Sequence, residues 1–244
     1  MIPKIIHYCW FGRNPLPKSA IKCINSWKRF FPDYEIKEWN EDNFNVNIIP
    51  YTEEAYKAKK YAFVSDYARF WILYKYGGIY FDTDVEVVKN MDNIISKGSF
   101  MGCENAASES VVANVAPGLG IGALPNLPIY KEIIKFYEQL NIEKSLNKEC
   151  PETVVTITTR ILEKYGLFPT NQIQRVSNIL IYPKEYFCPL DYTTGNLTIT
   201  DNTYSIHHYT ASWLPKSIKF KNYIKKKLYK NQITKTIIQK IKHE

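Results

Sequence analysis

The sequence predicts an α/β protein with a mostly parallel central sheet flanked by helices. Three observations carry this. Short apolar stretches of strand length alternate with helical stretches of amphipathic spacing. A glycine pair, Gly77-Gly78, ends one helical stretch and opens directly onto the apolar run Ile79-Tyr80-Phe81. The chain of 244 residues is 45% apolar and 15% aromatic, enough for one sizeable core or at most two small ones.

Taken in order, Lys4 to Trp10 reads as a short buried strand, closed by Phe11-Gly12 and the turn at Pro15 and Pro17. A helix follows from about Ser19 to Phe30, then a strand over Tyr34 to Trp39. Ser65 has the chemistry of an N-cap, and Tyr67, Phe70, Trp71 and Tyr74 fall at helical spacing behind it. Gly77-Gly78 stops that helix, because glycine accepts the left-handed conformation a helix end requires. Ile79 to Phe81 is then a strand ending at Asp82, and Val85, Val87 and Val88 suggest another at once. Pro128 to Leu140 and Thr153 to Tyr165 read as helices, and Tyr204 to Tyr209 as a late strand. In open α/β sheets ligands bind beyond the carboxyl ends of the strands, which is where Asp82-Thr83-Asp84 falls.

Composition excludes several classes. The N-terminus lacks a long apolar region and a small-residue cleavage site, so no signal peptide is expected. No run approaches the roughly 20 apolar residues of a membrane span. Cys9, Cys23, Cys103, Cys150 and Cys188 are scattered and odd in number. That favours reduced thiols in a cytoplasmic setting over a disulfide framework or a zinc site. The net charge of +8 is concentrated at one end: Pro215 to Glu244 holds ten lysines and one acidic residue, leaving 22 basic and 23 acidic residues before it. The body is therefore neutral, which speaks against nucleic acid as the partner.

Asp82 and Asp84 repel each other unless something offsets their charge, and a divalent cation does so directly. Asp66 and Arg69 stand three apart on the preceding helix and share a face. The run from Ser65 to Asp84 reads S-D-x-x-R-x-x-x-L-x-x-x-G-G-x-Y-x-D-x-D without a gap, Leu73 included. It resembles the signature of the sugar-transferase family that contains yeast Och1-type mannosyltransferases, bacterial capsule-synthesis enzymes and the large clostridial glucosylating toxins. Ile2-Pro3-Lys4-Ile5-Ile6-His7 with Trp10 and Gly12 is similar to the family's opening strand. His207-His208-Tyr209-Thr210-Ala211-Ser212-Trp213 resembles its closing segment. Between about Asn90 and Ser205 the likeness is thin, with Cys150-Pro151-Glu152-Thr153 in place of a glycine-proline motif.

The resemblance implies a GT-A type nucleotide-sugar-binding domain over residues 1–214. It implies that Cys9 and Trp10 contact the nucleotide base. Asp66 holds ribose or sugar hydroxyls, and Arg69 the sugar-diphosphate region. Tyr80 lies with the donor-binding residues. Asp82 touches ribose, sugar and metal, Asp84 ligates the metal, and Ser212 and Trp213 hold the β-phosphate. The toxins carry glutamate as third metal ligand; here His208 is taken for that role, a departure from the pattern. Strand alternation sends His207 and His208 to opposite faces, so one of the two is structural. Carboxylates suit Mg²⁺ or Mn²⁺, and an added imidazole favours Mn²⁺. Retention of anomeric configuration, a UDP- or GDP-sugar donor, a glycan acceptor and a part in capsule or other surface-polysaccharide synthesis follow from the family alone. Glu104 and Glu109 are unassigned and expected in solvent. The glycines of Ala116-Pro117-Gly118-Leu119-Gly120-Ile121-Gly122 either let backbone approach the sugar or form a turn-rich loop.

Two other readings meet the sequence less well. A haloacid-dehalogenase phosphatase wants Thr or Val four residues after the first aspartate, where Glu86 stands. A catalytically weak or inactive module binding nucleotide-sugar or nucleic acid is the alternative function. In the tail, 215–244, Phe220, Ile224 and Leu228, then Ile233, Ile237 and Ile241, recur every four residues among lysines. That is a basic amphipathic helix, suited to packing on the body or to the anionic inner face of a membrane, with a lipid-linked acceptor in the latter case.

Overall fold

A computed structural model of the chain describes residues 1–140 and 152–210. In order, the elements are β1 (Ile5–Cys9), α1 (Lys18–Phe30), β2 (Glu35–Trp39), α2 (Pro50–Lys57), α3 (Tyr61–Tyr76), β3 (Gly78–Tyr80), β4 (Val85–Val87) and α4 (Asp92–Ile95). There follow β5 (Phe100–Gly102), β6 (Ile121–Ala123), α5 (Pro128–Glu138), α6 (Val154–Lys164), β7 (Gln174–Val176), β8 (Ile179–Tyr182), α7 (Lys184–Phe187) and β9 (Ser205–His207).

Seven strands form one sheet in the order β2-β1-β3-β6-β5-β8-β7, and β4 pairs with β9 in a separate two-stranded ribbon. Within the large sheet β1 is parallel to β2 and β3, and β5 to β8, while β6 and β7 run antiparallel to their neighbours. Five strands therefore point one way, and the expected mostly parallel sheet is present with two reversals. The carboxyl ends of β1, β3, β5 and β8 share one edge.

Both faces of the sheet are covered, so the inner strands β3, β6, β5 and β8 are buried at every residue, while the edge strands β2 and β7 keep polar ones. Successive residues feed opposite cores. Cys9, Tyr80, Met101 and Ile181 pack with α2, α3, α5 and α6. Tyr8, Ile79, Phe81, Phe100 and Tyr182 pack with α1, α4, α7 and β4. Trp27 of α1 is fully buried in the second core, and its indole N–H donates to Val85 O at 2.8 Å, tying α1 to β4.

The helix over the first core begins at Tyr61, not after Ser65. Ser65 is no cap: its hydroxyl donates back to Tyr61 O at 3.2 Å inside the helix. Val64, fully buried, extends the apolar stripe one turn upstream. The stop at the glycine pair is as expected, with Gly77 at φ 65 donating its N–H to Leu73 O. Thr153 caps α6, accepting from Thr156 N while the Thr156 hydroxyl accepts from Thr153 N. Among the described residues no helix is long and apolar enough to cross a membrane. The four described cysteines are free and buried. Cys150, Pro151, Ser212, Trp213 and the whole tail 215–244 lie outside the described residues.

Candidate active site

Three local features bring the predicted carboxylates together. Spacing along α3 puts Asp66 and Arg69 on the same side, facing the end of β3. The turn Asp82–Val85, closed by Val85 N to Asp82 O at 3.0 Å, holds Asp82 and Asp84 just past that strand. The β4–β9 ribbon, with Val85 opposite His207, then carries the late histidines to the same turn.

Arg69 is the hub. Its side chain is almost wholly buried, and one guanidinium nitrogen reaches Asp66 Oδ1 at 2.9 Å and Asp82 Oδ1 at 3.2 Å. Nε donates to Ser65 O at 3.2 Å, and the guanidinium lies over the Tyr80 ring, 5.0 Å from its centroid. The Tyr80 hydroxyl donates to Asp82 Oδ1 at 3.1 Å. Burial pushes the Asp66 carboxyl up to about 7, against the pull of Arg69 and with repulsion from Asp82. Burial raises Asp82 as well, with Arg69 opposing and Asp84 adding repulsion. Burial works against the charge of Arg69, but Asp82, Tyr80 and Asp66 more than reverse it and keep the guanidinium cationic. One cation thus serves two carboxylates, both of which burial pushes towards protonation.

Asp84 is held differently. Its Oδ2 accepts from Thr210 N at 2.8 Å and Thr210 Oγ1 at 3.0 Å, and its Oδ1 lies 3.1 Å from His207 Nε2. Burial alone would raise its pKa, but His207 and Thr210 together hold it well below the usual carboxylate range. Burial likewise lowers His207, and the charge and hydrogen bond of Asp84 raise it beyond its ordinary value.

Here the structure corrects the histidine assignment. His208 turns away and meets Glu86 Oε2 at 2.7 Å, a carboxylate also paired with Lys22 at 3.0 Å. His207, expected to be structural, faces the aspartates. The alternation was real; the chosen face was not, because Asp84 sits in the turn before β4 and so falls out of the strand's register. Side-chain ligand atoms of Asp82, Asp84 and His207 all lie within 4.8 Å of one another. His207 Nδ1 is buried without a hydrogen-bond partner, and two carboxylates with one imidazole are donors suited to a divalent cation. The residues fit a metal.

Of the other expected site residues, Cys9 is buried beneath the network beside Arg69, Tyr80 and Ser65, and burial pushes its thiol up to about 12. Trp10 stands half-buried at the end of β1, its indole N–H donating to Asn14 O at 2.6 Å. Glu104 is not a solvated residue: it lies half-buried beside Asn114, and His207 and Lys184 are its charged neighbours. Glu109 is exposed, as expected. Gly118, in the glycine stretch with two readings open in the sequence, packs against Asp82. Its carbonyl accepts from Asp82 N at 3.2 Å, and a Cβ at Gly118 would overlap Asp82 Oδ2. Gly118 thus packs on the turn that holds the aspartates, while Gly120 and Gly122 lie against the rings of Phe81 and Phe100.

Residues 17–101 match the family described as the glycosyltransferase sugar-binding region containing the DXD motif. Over that segment the chain resembles DXD-type glycosyltransferases. The match spans Asp66, Arg69, Asp82 and Asp84; His207 lies beyond it. The chain is 29% identical over 227 residues to an uncharacterised glycosyltransferase of Acanthamoeba polyphaga mimivirus, covering 88% of this chain and 85% of the viral one. It is 31% identical over 111 residues to inositol phosphoceramide mannosyltransferase 1 of Schizosaccharomyces pombe, covering 41% of this chain but 33% of the yeast protein. Among solved structures it is similar to the PaToxG glycosyltransferase, with a TM-score of 0.50 and 21% identity, covering 67% of this chain and 69% of that one. That likeness establishes the fold of this chain as GT-A.

Proposed function

We propose that this glycosyltransferase moves a hexosyl group, with retention, from a nucleoside-diphosphate sugar to a hydroxyl of a glycan, using a divalent cation held by Asp82, Asp84 and His207. One observation carries the reading. Asp82 belongs at once to the buried Asp66–Arg69–Asp82 network and to the Asp82–Asp84–His207 cluster, so a hydroxyl-binding and a cation-binding group share one carboxylate.

Breaking a sugar–phosphate bond leaves negative charge on the diphosphate, and a bound cation supplies charge stabilisation where that charge develops. Arg69, buried and fixed on both sides by carboxylates, acts on the diphosphate through its charge and through Asp66 and Asp82, which it holds in place. Asp66, rigid on α3, accepts hydrogen bonds from donor hydroxyls, and the half-buried Trp10 offers its ring to the base. Ser212 and Trp213 complete the phosphate contacts in this reading, which there rests on the family resemblance alone.

Mn²⁺ is the favoured ion on donor chemistry. The relatives named as mannosyltransferases of inositol phosphoceramide make a mannosyl donor the first to test and favour a lipid-linked acceptor. We place the enzyme in surface-polysaccharide assembly, in the cytoplasm, with residues 215–244 as a basic helix on anionic lipid. The test is a screen of UDP- and GDP-sugars for Mn²⁺-stimulated hydrolysis without acceptor. Tight nucleotide binding with no hydrolysis of any donor would leave only a binding module. An inverted linkage in the first-formed product, read by NMR, would remove retention.

A further inference from the structure

The carboxyl edge of the large sheet continues past the metal-binding cluster, and the donor chemistry leaves that half unused. Glu104 stands two residues beyond the end of β5, as Asp82 stands two residues beyond the end of β3. The two strands run in the same direction with β6 between them, which sets their ends two strand spacings, about 10 Å, apart. The Glu104 backbone N–H donates to Asn114 O at 2.9 Å, and its carboxylate is hydrogen-bonded to the Asn114 side chain. Its carboxylate interacts electrostatically with His207 and Lys184, and its charge reaches Cys188 and Tyr209.

A pinned loop lies alongside. Asp191 Oδ1 accepts from Thr193 N, Thr194 N and Thr194 Oγ1 at 2.9, 2.7 and 3.0 Å. Lys184 lies 3.6 Å from the other oxygen, and Leu190 bridges to Leu197 across the loop. This loop holds Tyr192, 42% exposed, with its ring centroid 5.1 Å from that of Tyr209. Tyr209 is in the left-handed region at φ 50, rare for a bulky residue outside functional sites. Its ring meets His207 edge-on at 4.2 Å, and its hydroxyl is 2.9 Å from Cys188 Sγ. An aromatic line therefore runs from the metal-binding histidine to an exposed tyrosine, with a fixed carboxylate beside it.

We propose that Glu104 and Tyr192 form the subsite for the acceptor saccharide. Tyr192 lies against the apolar face of the sugar ring, and Glu104 accepts a hydrogen bond from one of its hydroxyls. A saccharide fits because it presents C–H faces and hydroxyls together, matching a ring and a carboxylate that are both anchored. The opposite half of the edge, at β1 and β3, belongs to the donor. This inference rests on the glycosyl-transfer reading.

The experiment measures nucleotide release from the active donor in the presence of p-nitrophenyl hexosides, by wild type, Glu104→Gln, Tyr192→Ala and Tyr192→Phe. The first two variants are expected to raise the hexoside KM roughly tenfold, equivalent to about 1.4 kcal/mol, while the donor KM moves far less. Tyr192→Phe is expected to keep the wild-type hexoside KM. An unchanged hexoside KM, or an equal rise in donor KM, overturns the subsite. In parallel, hexosides titrated into the wild-type chain should shift NMR signals of Tyr192 and Glu104. Absence of such shifts with every hexoside overturns the proposal even where turnover is found. Shifts without donor hydrolysis keep the subsite and sink the transfer reading instead.

Discussion

Asp82 makes the chemistry of the site depend on single atoms. Its Oδ1 is shared by Arg69 and Tyr80, and its Oδ2 lies against the bare Cα of Gly118. Gly118→Ala is therefore expected to displace this carboxylate and cut donor hydrolysis by an order of magnitude or more. The backbone at Gly118 does not need a positive φ, so thermal unfolding should move little. A large loss of melting temperature would show that the methyl disturbs the core instead. The two histidines give a second residue-scale prediction. His207→Ala should raise the Mn²⁺ concentration needed for half-maximal hydrolysis, and Asp84→Asn should abolish metal stimulation, since a carboxamide is a poor cation ligand. His208→Ala should do neither, because its partner is Glu86. A metal titration showing the reverse order would return His208 to the site.

At the scale of elements, the joint between β1, β2 and α3 depends on another histidine. His7 is buried, with Nε2 3.0 Å from Gly77 O and Nδ1 accepting from the Trp39 indole N–H at 3.1 Å. Both ring nitrogens are thus used by a neutral imidazole that donates from Nε2. Burial lowers its pKa from 6.5 to about 4, with the carbonyl bond opposing. An imidazole that stays neutral on folding contributes stability that is complete above pH 6.5 and lost as pH falls towards 4. The loss is on the order of 3 kcal/mol, at about 1.36 kcal/mol per unit. Urea midpoints measured between pH 7 and 4 should fall for wild type and flatten in His7→Gln, even though that variant starts less stable. Equal slopes would assign the acid lability elsewhere. The start of α6 is a smaller case: Thr153→Ala removes the bond that Thr153 Oγ1 accepts from Thr156 N, leaves the one from Thr153 N to Thr156 Oγ1, and should cost about 1 kcal/mol.

For the whole molecule, charge and chemistry are segregated along the chain. Every described group assigned to donor or acceptor lies at or before Thr210, and ten lysines lie beyond Pro215. A chain ending at Lys216 should keep donor hydrolysis and lose co-sedimentation with anionic vesicles. Binding by the full chain should weaken with salt, as expected where each lysine near the surface contributes about 1 kcal/mol. Equal sedimentation of the two chains, or none of either, would remove the membrane assignment. Loss of hydrolysis on truncation would instead mean that the tail supports the body.

Much of this was legible in the sequence because its causes are local. The spacing of Asp66 and Arg69, the glycine stop at Gly77 and the paired aspartates after an apolar strand depend on residues within one helix, one turn or one strand. The fold class followed from the same periodicities. Strands β5 to β8 were not legible: each is three or four residues long, too short for a period to show, and they exist because neighbours pair with them. Ser65 was misread because a cap is defined by where a helix starts, and buried Val64 moved that start upstream. The choice between His207 and His208 required the register of β4 against β9, across more than a hundred residues. Gly118 and Glu104 acquired their places only when β6 and β5 docked beside β3. The sequence by itself determined the kind of chemistry, because ligand type and local spacing are written in it. The tertiary structure decided which atoms share it, because closure of the sheet brings distant segments within reach of one carboxylate.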